Sequence, residues 1–321
     1  MRVFFALMIT VFSLVAAPAQ TQERWPQRTV TLVVPFSAGG STGLIARILA
    51  QHMQTGLGTS VVVENRAGAG GSIGTGYVAK APGDGYTLLV GTVSSNAINA
   101  FLYSKLPFDV ARDLQPVSLL ATLPNLLFIN PKIPANTVAE LVAYLKANEG
   151  KVSFGSSGNG TSSHLSSVMF QLATGTTMTH VPFRSTNEVM NSIIGGHIDL
   201  AIDSMTTAWP QAKAGSVRAL AVTTPRRSNA APDLPTIGET IGGFEATAWQ
   251  GMFAPAGTPA PIVEKVASEL KRILGLPEVV SALRDLGAEP APNTPAQFEE
   301  FTRSERAKWQ AIVQASGARI D

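Results

Sequence analysis

The chain has 321 residues, 45% of them hydrophobic and 14% charged, with a formal net charge of +2 and no cysteine. This describes a folded chain long enough for two lobes, and the small, evenly spread charge supplies no basic patch for nucleic acid. The lack of cysteine excludes disulfides, thiol nucleophiles, cysteine-ligated metals and lipid attachment at an N-terminal cysteine.

Residues 1–19 read as a secretory signal, with Arg2 as the positive end, an apolar run over 3–15 and the small-residue cleavage pattern Ala17-Pro18-Ala19. An uncleaved anchor is the alternative, but the run is shorter than the roughly 20 residues a spanning helix needs. The rest is expected to be a soluble, exported protein.

From residue 29 strand-like and helix-like patterns alternate. Residues 30–34 read as a strand, 42–56 as a helix, 60–64 as a strand, 67–76 as a Gly-rich turn into a short helix, and 86–91 as a third strand. This order predicts parallel strands covered on both faces. The rhythm restarts with a strand at 125–130 and a helix at 137–148, where Thr137 and Glu140 fit a capping box. Strands follow at 152–155, 179–183, 200–203 and 219–223, and helices at 165–173, 186–194 and 205–214. A strand at 246–253 then leads to helices at 261–274, 277–286 and 295–316. Such a helical tail is expected to pack back on the first lobe and make it discontinuous.

Two loops stand out. The first runs from Pro35 to Gly43, joining an apolar strand to a helix start, where unpaired backbone N–H groups and the helix dipole attract an anion. It has no Lys, and no G-x-x-x-x-G-K-[ST] occurs, which argues against nucleotide hydrolysis. The glycines at 68, 70, 71 and 74 only approximate a dinucleotide fingerprint, and a structural turn is the plainer reading. The second loop, 156–164, carries Ser156, Ser157, Asn159, Thr161, Ser162 and Ser163 ahead of another helix. By itself it could be a solvated cap; two such loops facing across a cleft would grip both ends of a small anion.

Catalysis has a weaker case. No G-x-S-x-G elbow occurs, and the four histidines share no metal spacing. His164 beside the serines of the second loop leaves an exported serine hydrolase as the alternative function. Asp203 lies where a strand ends and would point into a crevice or cap the next helix. Arg184 is a surface charge or an anion partner.

Six segments together resemble the solute receptors of tripartite tricarboxylate transporters, the Bug receptor family. They are VVPFSAGG at 33–40, VVENRAGAGG at 62–71, DGYTLL at 84–89, FGSSGNGTSSH at 154–164, GGHID at 195–199 and FAPAGTP at 253–259. The resemblance spans nearly the whole chain after the signal. It implies a type II periplasmic-binding-protein fold of two α/β lobes with mixed sheets: residues 20–123 plus 246–321 in lobe 1, and 124–245 in lobe 2. It implies a periplasmic receptor, a monomer without cofactor or metal, that closes on a small carboxylate and delivers it to membrane transporter subunits. By motif, the ligand contacts fall on Phe36, Ser37, Ala38, Gly39, Gly40, Thr92, Ser94, Asn96, Ser157, Gly158, Asn159, Gly160, Thr161, Ser162 and Asp203. Family members usually carry Asp where this chain has Gly43. Its loss from the helix mouth is expected to ease binding of a dianion, with Phe36 and Phe183 as apolar walls for a dicarboxylate or an aromatic carboxylate.

Overall fold

The computed structural model describes residues 25–320, so the expected signal at 1–19 lies outside the described residues. The chain opens β1 (Val30–Val34), α1 (Ser41–Leu57), β2 (Val61–Asn65), α2 (Ser72–Ala79), β3 (Thr87–Thr92), α3 (Asn99–Leu102) and β4 (Leu114–Leu123). Pro124 alone separates β4 from β5 (Asn125–Ile129). Then come α4 (Val138–Ala147), β6 (Ser153–Ser156), α5 (Ser162–Thr174), β7 (Thr179–Pro182), α6 (Thr186–Ile194), β8 (Leu200–Ser204), α7 (Met205–Lys213) and β9 (Arg218–Val222). Residues 223–247, with α8 (Ile237–Thr240), return the chain to β10 (Ala248–Pro255), α9 (Ala260–Leu274), α10 (Pro277–Asp285), β11 (Glu289–Pro290) and α11 (Pro295–Ser316).

Two sheets result, ordered β11-β4-β10-β3-β1-β2 and β7-β6-β8-β5-β9. The βαβ units give parallel pairs, β1 with β2 and β3, and β6 with β7 and β8. The expectation of wholly parallel strands from the βα rhythm does not extend to the strands at the crossings. There β10 runs antiparallel to β3 and β4, and β5 antiparallel to β8 and β9. These strands arrive from the other sheet rather than through a covering helix, so no crossover dictates their direction. The long β4 has no counterpart among the expected strands. Its buried run 117–121 is paired along one edge with β10 and meets β11 only at 121–122 on the other, and it lacks the alternation that marks a one-sided strand.

Apolar spacing decides which helix faces are buried. In α1, Ile45, Ala46, Leu49, Ala50 and Met53 form one stripe and pack with Leu32 and Val34 of the sheet and Val266 and Leu270 of α9. The opposite face of the first sheet carries a cluster that continues into the second. Trp249, Phe253, Phe298 and Trp309 share it with Leu127, Phe154 and Leu165. Each such side chain withdrawn from water contributes about 1.5–3 kcal/mol before entropy is counted. One buried carboxylate is built into this cluster. Glu305 accepts from the indole N–H of Trp249 at 2.8 Å and of Trp309 at 3.1 Å, and its other oxygen meets Lys308. Gly160 packs tightly against α3: its φ is +71°, and a Cβ there would lie 1.9 Å from Leu102 Cδ2.

Candidate ligand cleft

A cleft of about 770 Å³ opens between the two sheets. It sits outside the carboxyl ends of β1, β3 and β8, where open α/β sheets leave a crevice. Four helix N-termini converge on it. Gly40, Ser41 and Thr42 bring the start of α1; Thr161 and Ser162 the start of α5; Ser185, Thr186 and Asn187 the start of α6; Ser204, Thr206 and Thr207 the start of α7. The starts of α1 and α7 have no side-chain cap. Their first N–H groups and the positive ends of four helix dipoles therefore make the cleft an anion site with little help from side-chain charge. Ser37–Gly40 are exposed, and Gly39 has φ +94°, which lets the loop turn tightly ahead of α1.

The second loop is braced from within. Ser163 Oγ accepts from Ser157 N at 3.0 Å and lies 2.9 Å from both Ser157 Oγ and Thr161 Oγ1. Thr161 caps α5 through His164 N and donates to Gly158 O at 2.7 Å. Beneath the loop His164 and His180 stack with ring centroids 3.9 Å apart, and His180 also stacks on Phe154. Burial, and secondarily the charge of His180, pushes His164 down to about 4, while burial alone pushes His180 down. Both rings are thereby held neutral at pH 7.

Two ionisable side chains line the cleft among the described residues, Arg184 and Asp203. Arg184 is exposed on the turn between β7 and α6. Asp203, at the end of β8, is 4% exposed; its Oδ1 accepts from Ser204 N at 2.7 Å and Thr186 Oγ1 at 3.0 Å, while Oδ2 has no partner. Burial pushes this carboxyl up to about 6 against the lowering influence of Ser204, Thr186 and the neighbouring Ser163. Two more buried polar atoms on lining residues lack partners, Asn125 Nδ2 and Gln250 Oε1. They sit at the two chain crossings, on the first residue of β5 and within β10. Buried polar groups of this kind take their bonds from ligand or water.

The structure brings together, along this cleft, Phe36, Ser37, Ala38, Gly39, Gly40, Thr92, Ser94, Ser157, Thr161, Ser162 and Asp203. Six other candidates do not line it. Gly43 is buried in the first turn of α1, where a Cβ would lie 3.3 Å from Arg47 Nη1 and 3.7 Å from Asn65 Nδ2. Asn96 is buried and bonded to Ser95 Oγ at 2.6 Å, bracing the turn after β3. Gly158 and Gly160 shape the second loop through their positive φ, and Asn159 is exposed at its tip. Phe183 packs in the core cluster with Val189 and Ile198, leaving Phe36 as the lining phenylalanine. The sequence reading missed the starts of α6 and α7, Asn125, Trp249 and Gln250. A signal existed for the first two, since Ser185 and Ser204 each follow a strand and precede a helix.

Among the described residues no serine–histidine arrangement reaches the cleft. Ser156 Oγ lies 2.7 Å from His180 Nε2, but Ser156 is wholly buried beneath the loop. His164 Nδ1 accepts from Gly160 N at 3.1 Å, so it is committed to loop backbone rather than to a serine. The hydrolase alternative finds no support in this geometry. Among the described residues no three His, Asp or Glu side chains cluster to hold a metal.

Comparisons with known proteins agree with this architecture. Residues 45–318 match the family described as tripartite tricarboxylate transporter family receptor. BugT of Bordetella pertussis is 36% identical over 308 residues, covering 95% of this chain and 94% of BugT. Among solved structures, R. palustris Rpa4515 with adipate superposes with a TM-score of 0.83 at 36% identity, over 92% of this chain and all of the other. MatC from Rhodopseudomonas palustris with bound malate superposes with a TM-score of 0.78 at 33% identity, over 90% of this chain and all of the other. The chain belongs to the tripartite tricarboxylate transporter receptor family, with the fold of its periplasmic binding proteins.

Proposed function

We propose that the chain captures a small organic dicarboxylate in the cleft between its two sheets and presents it to the membrane subunits of a tripartite transporter. The observation that carries this reading is the convergence of four helix N-termini on one cleft with a single cationic side chain, Arg184. Backbone donors at α1 hold one carboxylate and those at α5, α6 and α7 the other. Relatives that align over their whole length hold adipate and malate, which supports a dicarboxylate over an aromatic acid. In this reading lobe 1 comprises residues 20–123 and 246–321 and lobe 2 residues 124–245. Closure turns on the two crossings, at Pro124 and ahead of β10, as a hinge that shifts its population on binding. The protein acts in the periplasm after removal of residues 1–19, as a monomer without catalytic turnover.

A thermal-shift screen of mono-, di- and tricarboxylates tests the reading, because a ligand of the folded state raises the melting temperature by mass action. Dicarboxylates should raise it, and Arg184→Gln should reduce the shift without lowering the unliganded melting temperature. A screen in which no carboxylate moves the transition would overturn the proposal.

A further inference from the structure

The geometry points to Asp203 as a specificity-determining residue that enters the complex as a neutral carboxyl, so that the cleft takes up a dianion together with a proton. This rests on the carboxylate reading above and names what the site demands of its ligand. The arrangement of bonds around Asp203 is unequal. Ser204 N and Thr186 Oγ1 both donate to Oδ1, the Ser163 hydroxyl lies nearby, and Oδ2 of this cleft-lining residue is buried and has no hydrogen-bond partner. A carboxylic acid fits that pattern, with Oδ1 as the carbonyl acceptor and Oδ2–H as a donor aimed at the ligand. An ionised Asp203 would instead set a bare oxygen against an incoming carboxylate oxygen, with no proton between them.

The surroundings push the same way. Burial already favours the neutral form, and a bound anion adds a like charge beside it. The helix ends that would otherwise stabilise an ionised Asp203 are turned to the ligand once it is bound. The charged and titratable groups facing Asp203 from neighbouring elements are few. Arg184 lines the cleft ahead of α6, and Glu188 of α6 accepts from the Arg184 backbone N–H. His164 of α5 is lowered to about 4 by burial and secondarily by the charge of His180, and burial also lowers His180 of β7, so both favour the neutral form. From β5 the residue opposite Asp203 is Leu126.

The test is calorimetric titration of the full chain with adipate, and in parallel malate, from pH 6.5 to 8.5 in buffers of different ionisation enthalpy, where ordinary carboxylates are fully ionised. Close to one proton should be taken up per ligand above pH 7, and affinity should fall as pH rises, by up to about tenfold per pH unit. Asp203→Asn, which keeps an acceptor for Ser204 and Thr186 and places an N–H₂ where Oδ2 stands, should bind at least tenfold tighter than wild type at pH 8.5 and take up no proton. Carboxylate binding with no proton uptake and a flat pH profile overturns the inference while leaving the receptor reading intact. So does malate alone surviving at high pH, because its hydroxyl would then be the donor to an ionised Asp203. No binding by any carboxylate defeats the receptor reading itself. The wild-type proton count decides even if the variant fails to fold.

Discussion

Replacing Gly43 by aspartate tests where the mouth of α1 directs a side chain. Gly43 is the third residue of the helix, and no acidic residue occupies that first turn. A Cβ there would lie 3.3 Å from Arg47 Nη1, the far end of an exposed and flexible side chain one turn on, and 3.7 Å from Asn65 Nδ2. Three gains follow. A carboxylate at a helix N-terminus contributes about 0.3–1 kcal/mol. An acidic residue four positions before an arginine adds about 0.2–0.5 kcal/mol, and loss of a helical glycine about 0.3 kcal/mol. The sum is about 1 kcal/mol of added stability, worth roughly 2 °C in a chain of this size. The new charge pairs with Arg47 outside the cleft, so adipate affinity should change by less than about threefold. Differential scanning calorimetry and titration calorimetry on the same preparation read both quantities. A lower melting temperature, or a tenfold loss of adipate affinity, would show that the side chain faces the cleft and would refute the reasoning.

Three further perturbations probe the supports of the site. Glu305→Ala strips two buried indole N–H groups and Lys308 of their acceptor, and should cost about 3–5 kcal/mol in urea unfolding; Glu305→Gln keeps an acceptor and should cost less, and equal losses for the two would contradict this account. Gly160→Ala combines a positive φ with a 1.9 Å approach to Leu102 Cδ2, so it should destabilise by about 2 kcal/mol. Leu102→Ala should recover part of that loss in the double variant, and strict additivity would argue against the contact. Acid stability follows from His164, His180 and Asp203. The histidines are lowered in the fold, so the unfolded chain binds protons first and stability falls as pH drops from about 6.5 toward about 4. Asp203 is raised, so its contribution has the opposite sign and grows as pH falls through about 6 toward 3.8. Urea midpoints should therefore fall more steeply with acid in Asp203→Asn than in wild type; a shallower fall would reverse the assignment.

Elements set by local chemistry are legible in the sequence. The strand at 30–34, the helices at 186–194 and 295–316, and the Thr137 cap of α4, which accepts from Glu140 N at 3.1 Å, all follow from period, capping residue and flanking proline. What the sequence hides depends on the other sheet. Strand β4 is paired on both edges and has no amphipathic signature, and the antiparallel course of β5 and β10 is fixed by how the chain crosses between lobes. The site divides in the same way. The loops at 36–40 and 156–164 announce themselves as strand–loop–helix units. Asn125 opens an apolar strand and Gln250 lies inside one, and only the crossing geometry turns them toward the cleft. Gly43 lies next to lining residues without lining the cleft itself, because successive positions on a helix face different directions.

A cleft built from helix ends has a consequence for how ligand choice is made. With Asp203 ionised, the lining side chains Arg184 and Asp203 cancel, and the attraction for an anion comes from backbone N–H groups whose positions the fold fixes. Such donors read a carboxylate but not what lies between two carboxylates. Discrimination must then rest on groups that differ in kind from the donors: the ring of Phe36, the unpaired amide atoms of Asn125 and Gln250, and the free oxygen of Asp203. Of these Asp203 alone can change from acceptor to donor by taking a proton, and so it alone can oppose a dianion in one state and hold it in the other. Substitutions at Phe36 should therefore alter which dicarboxylate binds at every pH, whereas substitutions at Asp203 should alter the pH at which any dicarboxylate binds.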